Sequence, residues 1–210
     1  MNEFDAFYDQ AELSFGTEPT GEIRRFVEST DRRGKALDLG AGDGRNALYL
    51  ARAGYDVTAV DSSRVGLAKL EWFAWRDGLI SKIQTLRTDV REALYEDSTY
   101  DLIVAVTLFD HLPETDIGSL FDRVVRSLRV GGALFVKVLT VADPGFKKNG
   151  QPASELSPTI RHYFGPKELL HLVDGNLDVA SYDERTERDA THGMPHLHAF
   201  ATMLALKTDD

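Results

Sequence analysis

Apolar positions along this chain follow two alternating rhythms. Short apolar runs stand at residues 36–39 (ALDL), 56–60 (DVTAV) and 83–86 (IQTL). Between them, apolar residues recur every three or four positions, as on one face of a helix. That spacing predicts helices over 21–30, with Ile23, Phe26 and Val27 inward, and over 44–52 and 64–77. The run YDLIVAVT at 100–107 is almost continuously apolar, as expected of a central parallel strand buried on both faces. Ile117, Leu120, Phe121, Val124, Val125 and Leu128 repeat at helical spacing, and Gly131-Gly132 is expected to end that helix. Residues 133–139 read as a fifth strand, and 166–173 as a helix opened by Pro166. Two strands, 177–182 and 196–206, follow with a polar loop at 183–195 between them. The last is apolar on both faces (Phe200, Leu204 and Leu206; Leu197, Ala201 and Met203), so it belongs in the sheet interior. Strands alternating with helices, then two strands with no helix between them, predict a doubly wound, mostly parallel seven-stranded α/β sheet. A C-terminal antiparallel hairpin should close it, with the final strand inserted.

Two stretches break the rhythm and divide the single expected domain, 1–210, into a body, an arm and a lid. In residues 1–20, Phe4, Phe7 and Tyr8 form a short stripe. Either it packs on the body, or the arm closes over a ligand and contributes Tyr8 or Phe15. Residues 140–163 hold three prolines, two glycines and Lys147-Lys148 with little periodicity. An irregular stretch of this length leaving the C-terminal end of a central strand reads as a substrate lid, about 140–165. Trp72, Phe73 and Trp75 read as helix–sheet packing.

Chemistry concentrates in KALDLGAGDGRNALYLARAGYDVTAVD, residues 35–61. The turn Gly40-Ala41-Gly42-Asp43-Gly44 lets backbone approach a ligand closely, and the following helix aims free N–H groups at the same spot. Asp61 comes 21 residues after Gly40, about where such a unit holds a ribose diol. The unit reads as a nucleoside half-site. A dinucleotide fingerprint needs a small residue at position 45, where Arg45 stands, and Gly44-Arg45-Asn46 is not a phosphate-loop ending. Asp38 suits an ammonium better than a pyrophosphate. S-adenosylmethionine (SAM) fits and NAD does not. Arg45 and Asn46 are expected to brace the turn. Thr88-Asp89-Val90 follows the third strand, where Asp89 either meets adenine or caps a turn.

DLGAGDGR, followed by an acid after the second strand, resembles the first two motifs of class I SAM-dependent methyltransferases. The run LDLGAGDGRNALYLARAGYDVTAVDSS, with YDLIVAVTLFDHL and the terminal FATMLALK, is similar to the tellurite-resistance methyltransferase family. The resemblance implies a Rossmann-like fold, SAM as cofactor and S-adenosylhomocysteine (SAH) as product. It implies a cofactor site of Tyr8, Asp38, Gly40, Ala41, Gly42, Asp61, Ser62, Asp89, Val90 and Thr107. His111, in the fourth motif, faces the acceptor or caps the next helix. Family members carry a His-Arg pair a dozen residues before FATMLA. Laid on this chain without gaps, those positions are Glu187 and Arg188, and His192 takes the missing place if the loop is re-registered. Arg188, His192 and His111 are thus the implied catalytic residues, with Arg161, His162 and His196 toward the acceptor. The chain departs from the family at Ala41, usually Cys, at Leu206, usually Arg, and in its lid.

Net charge is −10 and the isoelectric point about 5.1, which disfavours nucleic acid or an anionic membrane as partner. Arg123, Arg126 and Arg129 read as a solvated helix face. Without cysteine there is no disulfide framework or thiolate metal site. His192, His196 and His198 invite a metal reading, but no carboxylate is evident in register and methyl transfer needs none. No signal peptide or membrane span is evident, so a cytoplasmic monomer or homodimer is expected. The expected activity is methyl transfer to a small molecule, such as a soft or oxyanion acceptor like tellurite or selenite, which needs no strong base. An O- or N-acceptor would need a histidine among His111, His192 and His196. The rival is a non-catalytic SAM-binding protein.

Overall fold

The computed structural model describes residues 4–10, 13–147, 159–173, 175–189 and 195–209. In chain order the elements are α1 (Asp5–Tyr8), α2 (Gly21–Glu28), β1 (Lys35–Leu39), α3 (Arg45–Arg52), β2 (Asp56–Asp61) and α4 (Arg64–Arg76). Then come β3 (Ile83–Arg87), β4 (Tyr100–Val106), α5 (Glu114–Ser127), β5 (Leu128–Leu139) and α6 (Pro144–Lys147). Two long strands, β6 (Leu177–Asp189) and β7 (His196–Lys207), finish the chain.

The seven strands lie in the order β3-β2-β1-β4-β5-β7-β6, the first five parallel and β7 antiparallel to both its neighbours. This is the expected α/β sheet with the last strand inserted. Period-2 alternation divides the core into two layers. Leu37, Leu39, Ile103, Ala105, Leu134 and Val136 face α5 through Leu120, Phe121 and Val124. Ala36, Leu102, Val104 and Phe135 face the opposite layer, with Leu50 of α3, Leu70 and Phe73 of α4 and Val27 of α2. Strand order reverses between β2-β1 and β4-β5, so a crevice opens at the C-terminal ends of β1 and β4.

Four expectations are corrected. The helix before β5 ends at Ser127, because Leu128 is already extended, fully buried and paired with Tyr100. Gly131, at φ +73°, then absorbs a bulge inside β5 and does not end the helix. Near 166–173 a left-handed Lys167 blocks entry from Pro166, leaving only a 3-10 turn at Glu168–Leu172. Residues 183–189 are strand and not loop: β6 is a sheet edge, where alternating charges are compatible with pairing on one side only. Of the three aromatics of α4, Phe73 is buried while Trp72 and Trp75 are exposed, with Arg76 stacked over Trp72.

Gly44 caps α3 at φ +95°, and a Cβ there would lie 2.3 Å from Leu70 Cδ1. Gly78 has similar dihedral demands, φ +71°, with open space around it. Gly44→Ala should therefore cost roughly 3 kcal/mol in urea denaturation, backbone strain plus overpacking, against ~1 kcal/mol of strain for Gly78→Ala. Equal losses would mean that the Gly44–Leu70 contact contributes nothing.

Candidate functional site

Three carboxylates meet around the β1–α3 turn. Asp61, at the end of β2, accepts the Gly42 N–H at 2.8 Å through one oxygen and the Ser63 N–H at 2.7 Å through the other. Burial raises its pKa, against the lowering effect of those N–H groups. Asp43 accepts the Ser14 N–H and is likewise raised by burial. Asp38 lies inside the turn, where burial and then the Asp61 charge push its pKa up to about 7, against an N–H bond from Ala47. One Asp38 oxygen is buried without a hydrogen-bond partner. An acceptor-only group in that state is suited to a cation.

The arm lies across this turn. The buried Asp5 carboxylate takes the Ser63 hydroxyl at 2.7 Å and the Val65 N–H at 3.2 Å, fastening α1 to the start of α4. Lys69 donates to the Tyr8 carbonyl, and Thr20 N–H donates to Asn46 Oδ1 at 3.0 Å. Tyr8 itself is buried beside Asp61, Asp43 and Asp38, and burial followed by those charges raises its phenol pKa well above 10. A Cβ on Gly42 would lie 2.3 Å from the Tyr8 hydroxyl, so Gly42 makes room for the arm.

Between arm and turn is a cavity of about 100 Å³, lined by Phe4, Tyr8 and Phe15 from the arm, Gly40, Ala41 and Asp61, and Thr107 and His111 beyond β4. A second cavity of about 400 Å³ adjoins it, with Phe15, Arg45, Val106, Thr107 and His111 lining both. Thr107 holds φ +49°, rare for a β-branched residue, fixed by its N–H bond to the Lys137 carbonyl at 2.8 Å. His111 Nδ1 lies 3.1 Å from the Thr159 carbonyl, its ring edge against Phe4, and burial lowers its pKa to about 4. The imidazole is neutral at physiological pH.

The floor of the larger cavity is one patch of sheet. Lys137 and Leu139 of β5, His198 and Phe200 of β7, and Arg185 and Glu187 of β6 all line it. Register pairs Leu139 with Phe200, Phe200 with Arg185 and His198 with Glu187, so period 2 brings them to one face. Lys137 Nζ bonds Glu187 at 2.6 Å and sits 4.2 Å from the Phe200 ring centroid. Arg185 reaches Glu187 and Glu22. Asp143, just before α6, accepts His198 Nδ1 at 2.9 Å. Burial opposes ionisation of Asp143, but that bond and N–H groups from Ala199 and Gly145 outweigh it and hold its pKa low.

Of the residues expected at the cofactor, Tyr8, Gly40, Ala41, Asp61 and Thr107 line the smaller cavity, while Asp38 and Gly42 stand just behind it. Ser62 is exposed beside Asp61. Val90 is buried in the core, and Asp89 is bound bidentately by Arg91; neither lines either of these two cavities. Toward the acceptor, Arg188 lines the larger cavity and His111 both. His162 is bonded to Glu168 at 2.6 Å, and Arg161 contributes its backbone N–H to Asp110; neither lines either of these two cavities. His196 lies with Nε2 2.8 Å from His198 Nε2. His192 is outside the described residues. Arg45, Lys137, Asp143, Glu187 and His198 line the larger cavity without having been expected there as ligands. Strand parity with Phe200 would have found His198. Among the described residues no group of three or more His, Cys, Asp or Glu could hold a metal ion, and no helix is long and apolar enough to cross a membrane.

Residues 36–132 match the family described as "Methyltransferase domain". The chain is 36% identical over 173 residues to "Probable S-adenosyl-L-methionine-dependent methyltransferase TehB" of Haemophilus influenzae, covering 82% of this chain and 57% of that protein. It thus spans little more than half the length of that relative. A 2-heptyl-1-hydroxyquinolin-4(1H)-one methyltransferase of Mycobacteroides abscessus is 26% identical, with 84% of this chain and 81% of that protein covered. The crystal structure of Haemophilus influenzae TehB superposes with a TM-score of 0.76 at 25% identity, covering 99% of this chain and 68% of that one.

The buried Asp38 sets a pH dependence. Its folded pKa, about 7, exceeds the ordinary carboxylate value of 3.8, so the folded state retains a proton that the unfolded state has lost. Its contribution to stability is therefore full below about pH 4 and falls as pH rises towards 7. Asp38→Asn should remove that fall and stabilise the ligand-free protein at pH 8 by about 4 kcal/mol. Thermal unfolding of both proteins from pH 4 to 8 checks this, and parallel curves would show that Asp38 is ionised at no cost.

Proposed function

The chain belongs to the class I S-adenosylmethionine-dependent methyltransferases, and we propose that it methylates a small molecule held in the larger of its two cavities. The carrying observation is the pair of adjoining cavities with five lining residues in common. One borders the turn with its unpartnered Asp38 oxygen, and the other has room for a small organic molecule.

The residues fit the cofactor of that family. Asp38 offers a buried negative group to a cationic ligand, and Asp61, fixed by Gly42 and Ser63, keeps lone pairs for a ribose diol. Bound there, SAM supplies a methyl group on a positively charged sulfur and leaves as SAH. Tyr8, Phe15 and Phe4 cover the smaller cavity and exclude water, while Thr107 and His111 border the passage to the larger one. The chain's contribution to rate is then mainly proximity and orientation.

An organic acceptor reacting through oxygen or nitrogen is the reading that the site supports best. Its 400 Å³ cavity is walled by Phe15, Leu139, Ile160, Tyr163 and Phe200, far more apolar surface than a bare oxyanion needs. A soft oxyanion such as tellurite or selenite is the second reading. It is favoured by Arg188, which lines the cavity and forms no ion pair among the described residues, and by the resemblance to the tellurite-resistance methyltransferases. A protein that only binds SAM would have little use for the second cavity.

Calorimetry with SAM and SAH, followed by SAH release with phenols, hydroxylated heterocycles, tellurite and selenite, tests this reading. Asp61→Ala should weaken SAM binding by roughly 1–3 kcal/mol while thermal unfolding stays cooperative. Unchanged affinity in a folded variant would remove Asp61 from the cofactor site. SAM binding without SAH release for any acceptor would favour the binding protein.

A further inference from the structure

We propose that Asp143 and His198 form a carboxylate–imidazole pair that accepts the acceptor's proton, which makes the acceptor an organic O–H or N–H compound such as a phenol or hydroxylated heterocycle. The inference rests on the methyltransferase reading above and adds to it the chemical class of the second substrate.

The pair is built from distant parts of the chain. Asp143 leaves β5 at the start of the lid stretch, and His198 is 55 residues later on β7. Asp143 Oδ2 takes His198 Nδ1 at 2.9 Å and the Ala199 N–H at 2.9 Å, while Oδ1 takes the Gly145 N–H at 2.7 Å. Three donors fix the carboxylate, and both residues are buried and line the larger cavity. An ionised carboxylate accepts only, so Nδ1 of His198 carries the hydrogen and Nε2 is left as the basic atom. His196 Nε2 lies 2.8 Å from that atom and, with the tautomer so fixed, donates to it. His196 sits in the position of a donor that an acceptor's O–H can take over. This is the orienting logic of a carboxylate behind an imidazole base, here without a nucleophilic serine.

Two of the other charges around the pair are already matched. Lys137 is bound to Glu187, the strand partner of His198, and Arg185 bridges Glu187 and Glu22. Asp110, buried near Asp143, has its pKa held well above 3.8 by burial, with a further upward effect from the Asp143 charge. Asp143 stays ionised because its donors outweigh its burial.

The step balances. The acceptor oxygen forms a bond to the methyl carbon as the carbon–sulfur bond breaks, with that electron pair left on sulfur. The O–H proton passes to His198 Nε2, and the resulting imidazolium is held by Asp143. Tellurite or a thiolate arrives already ionised and gives such a pair nothing to do, so the arrangement discriminates between the two acceptor readings.

The test uses the full chain loaded with SAH and 4-nitrophenol as probe, since the nitrophenolate absorbs visibly and the phenol does not. Wild type should bind the probe with its ionisation shifted to lower pH than in free solution. His198→Gln and Asp143→Asn should abolish that shift while SAM affinity stays within about twofold. In turnover, His198→Gln should lose at least about 100-fold with phenol, but less than about threefold with largely ionised 4-nitrophenol. A structural role would lower both alike, and that result overturns the proposal. So does wild type that binds SAM yet binds no phenol, or binds 4-nitrophenol with its ionisation unchanged. Absence of SAM binding in the same titration would instead overturn the broader reading.

Discussion

Carboxylates do not bury without compensation, and this structure buries Asp38, Asp43 and Asp61 around a single turn. Burial raises the pKa of each, and the Asp61 charge acts further on Asp38. What tolerates this concentration of negative charge is a set of backbone N–H groups: Gly42 and Ser63 on Asp61, Ser14 on Asp43 and Ala47 on Asp38. The positive φ values of Gly40, Gly42 and Gly44 give the turn the path those bonds require. The supply of donors runs out at one Asp38 oxygen. A cationic ligand beside these acids relieves a cost that the protein otherwise bears alone, so the same constraint that strains the ligand-free turn favours a sulfonium or ammonium over a phosphate.

The arm belongs to that compensation. Ser14 donates to Asp43, Thr20 to Asn46, and Asp5 accepts the Ser63 hydroxyl and the Val65 N–H at the start of α4, where the Ser63 N–H donates to Asp61. Removing charge from the turn would remove partners from the arm, and lifting the arm would leave Asp43 buried without its donor. Cover and cradle are therefore energetically coupled through hydrogen bonds and not merely adjacent. Arg45, at the wall between the cavities, repeats the pattern: its guanidinium lies over Phe15 and serves both the arm and the opening towards the acceptor side.

Most of the sheet was legible because each buried strand carries its own signature. The double-sided apolar pattern of 196–206 required an interior place, and β7 lies between β5 and β6. The path of the turn was legible because its glycines take the positive φ values that such a turn needs. The floor of the larger cavity was not. Residues 183–189 are charged at nearly every position, which reads as loop unless a partner strand is known, and only the pairing with β7 turns Arg185 and Glu187 inward. Asp143 illustrates the same limit. Nothing local distinguishes it from a turn-forming aspartate, and its bond to His198 depends on a contact 55 residues away. Asp89 shows the same limit, for the motif did not reveal that Arg91 two residues later bonds its carboxylate.

This division has a physical origin. The proposed cofactor half is built mainly from one contiguous strand–turn–helix unit, so its chemistry is written within one stretch of the chain and survives in the sequence pattern. The proposed acceptor half is a patch of parity-matched side chains on three strands, two of them in the C-terminal hairpin. Substitution at any one of those positions changes what the floor presents without disturbing the ladder, because the backbone bonds ignore side-chain identity. In this chain the floor presents Lys137 neutralised by Glu187, Arg185 neutralised by two glutamates, and an imidazole backed by Asp143. A floor whose cations are already paired offers little net attraction to a bare anion there, and leaves Arg188 at the strand edge and Arg45 at the opposite wall as the cations lining the cavity that form no ion pair among the described residues. What remains attractive on the floor is the Phe200 face and a proton-accepting nitrogen. Together these suit a flat molecule with an exchangeable proton better than a small oxyanion.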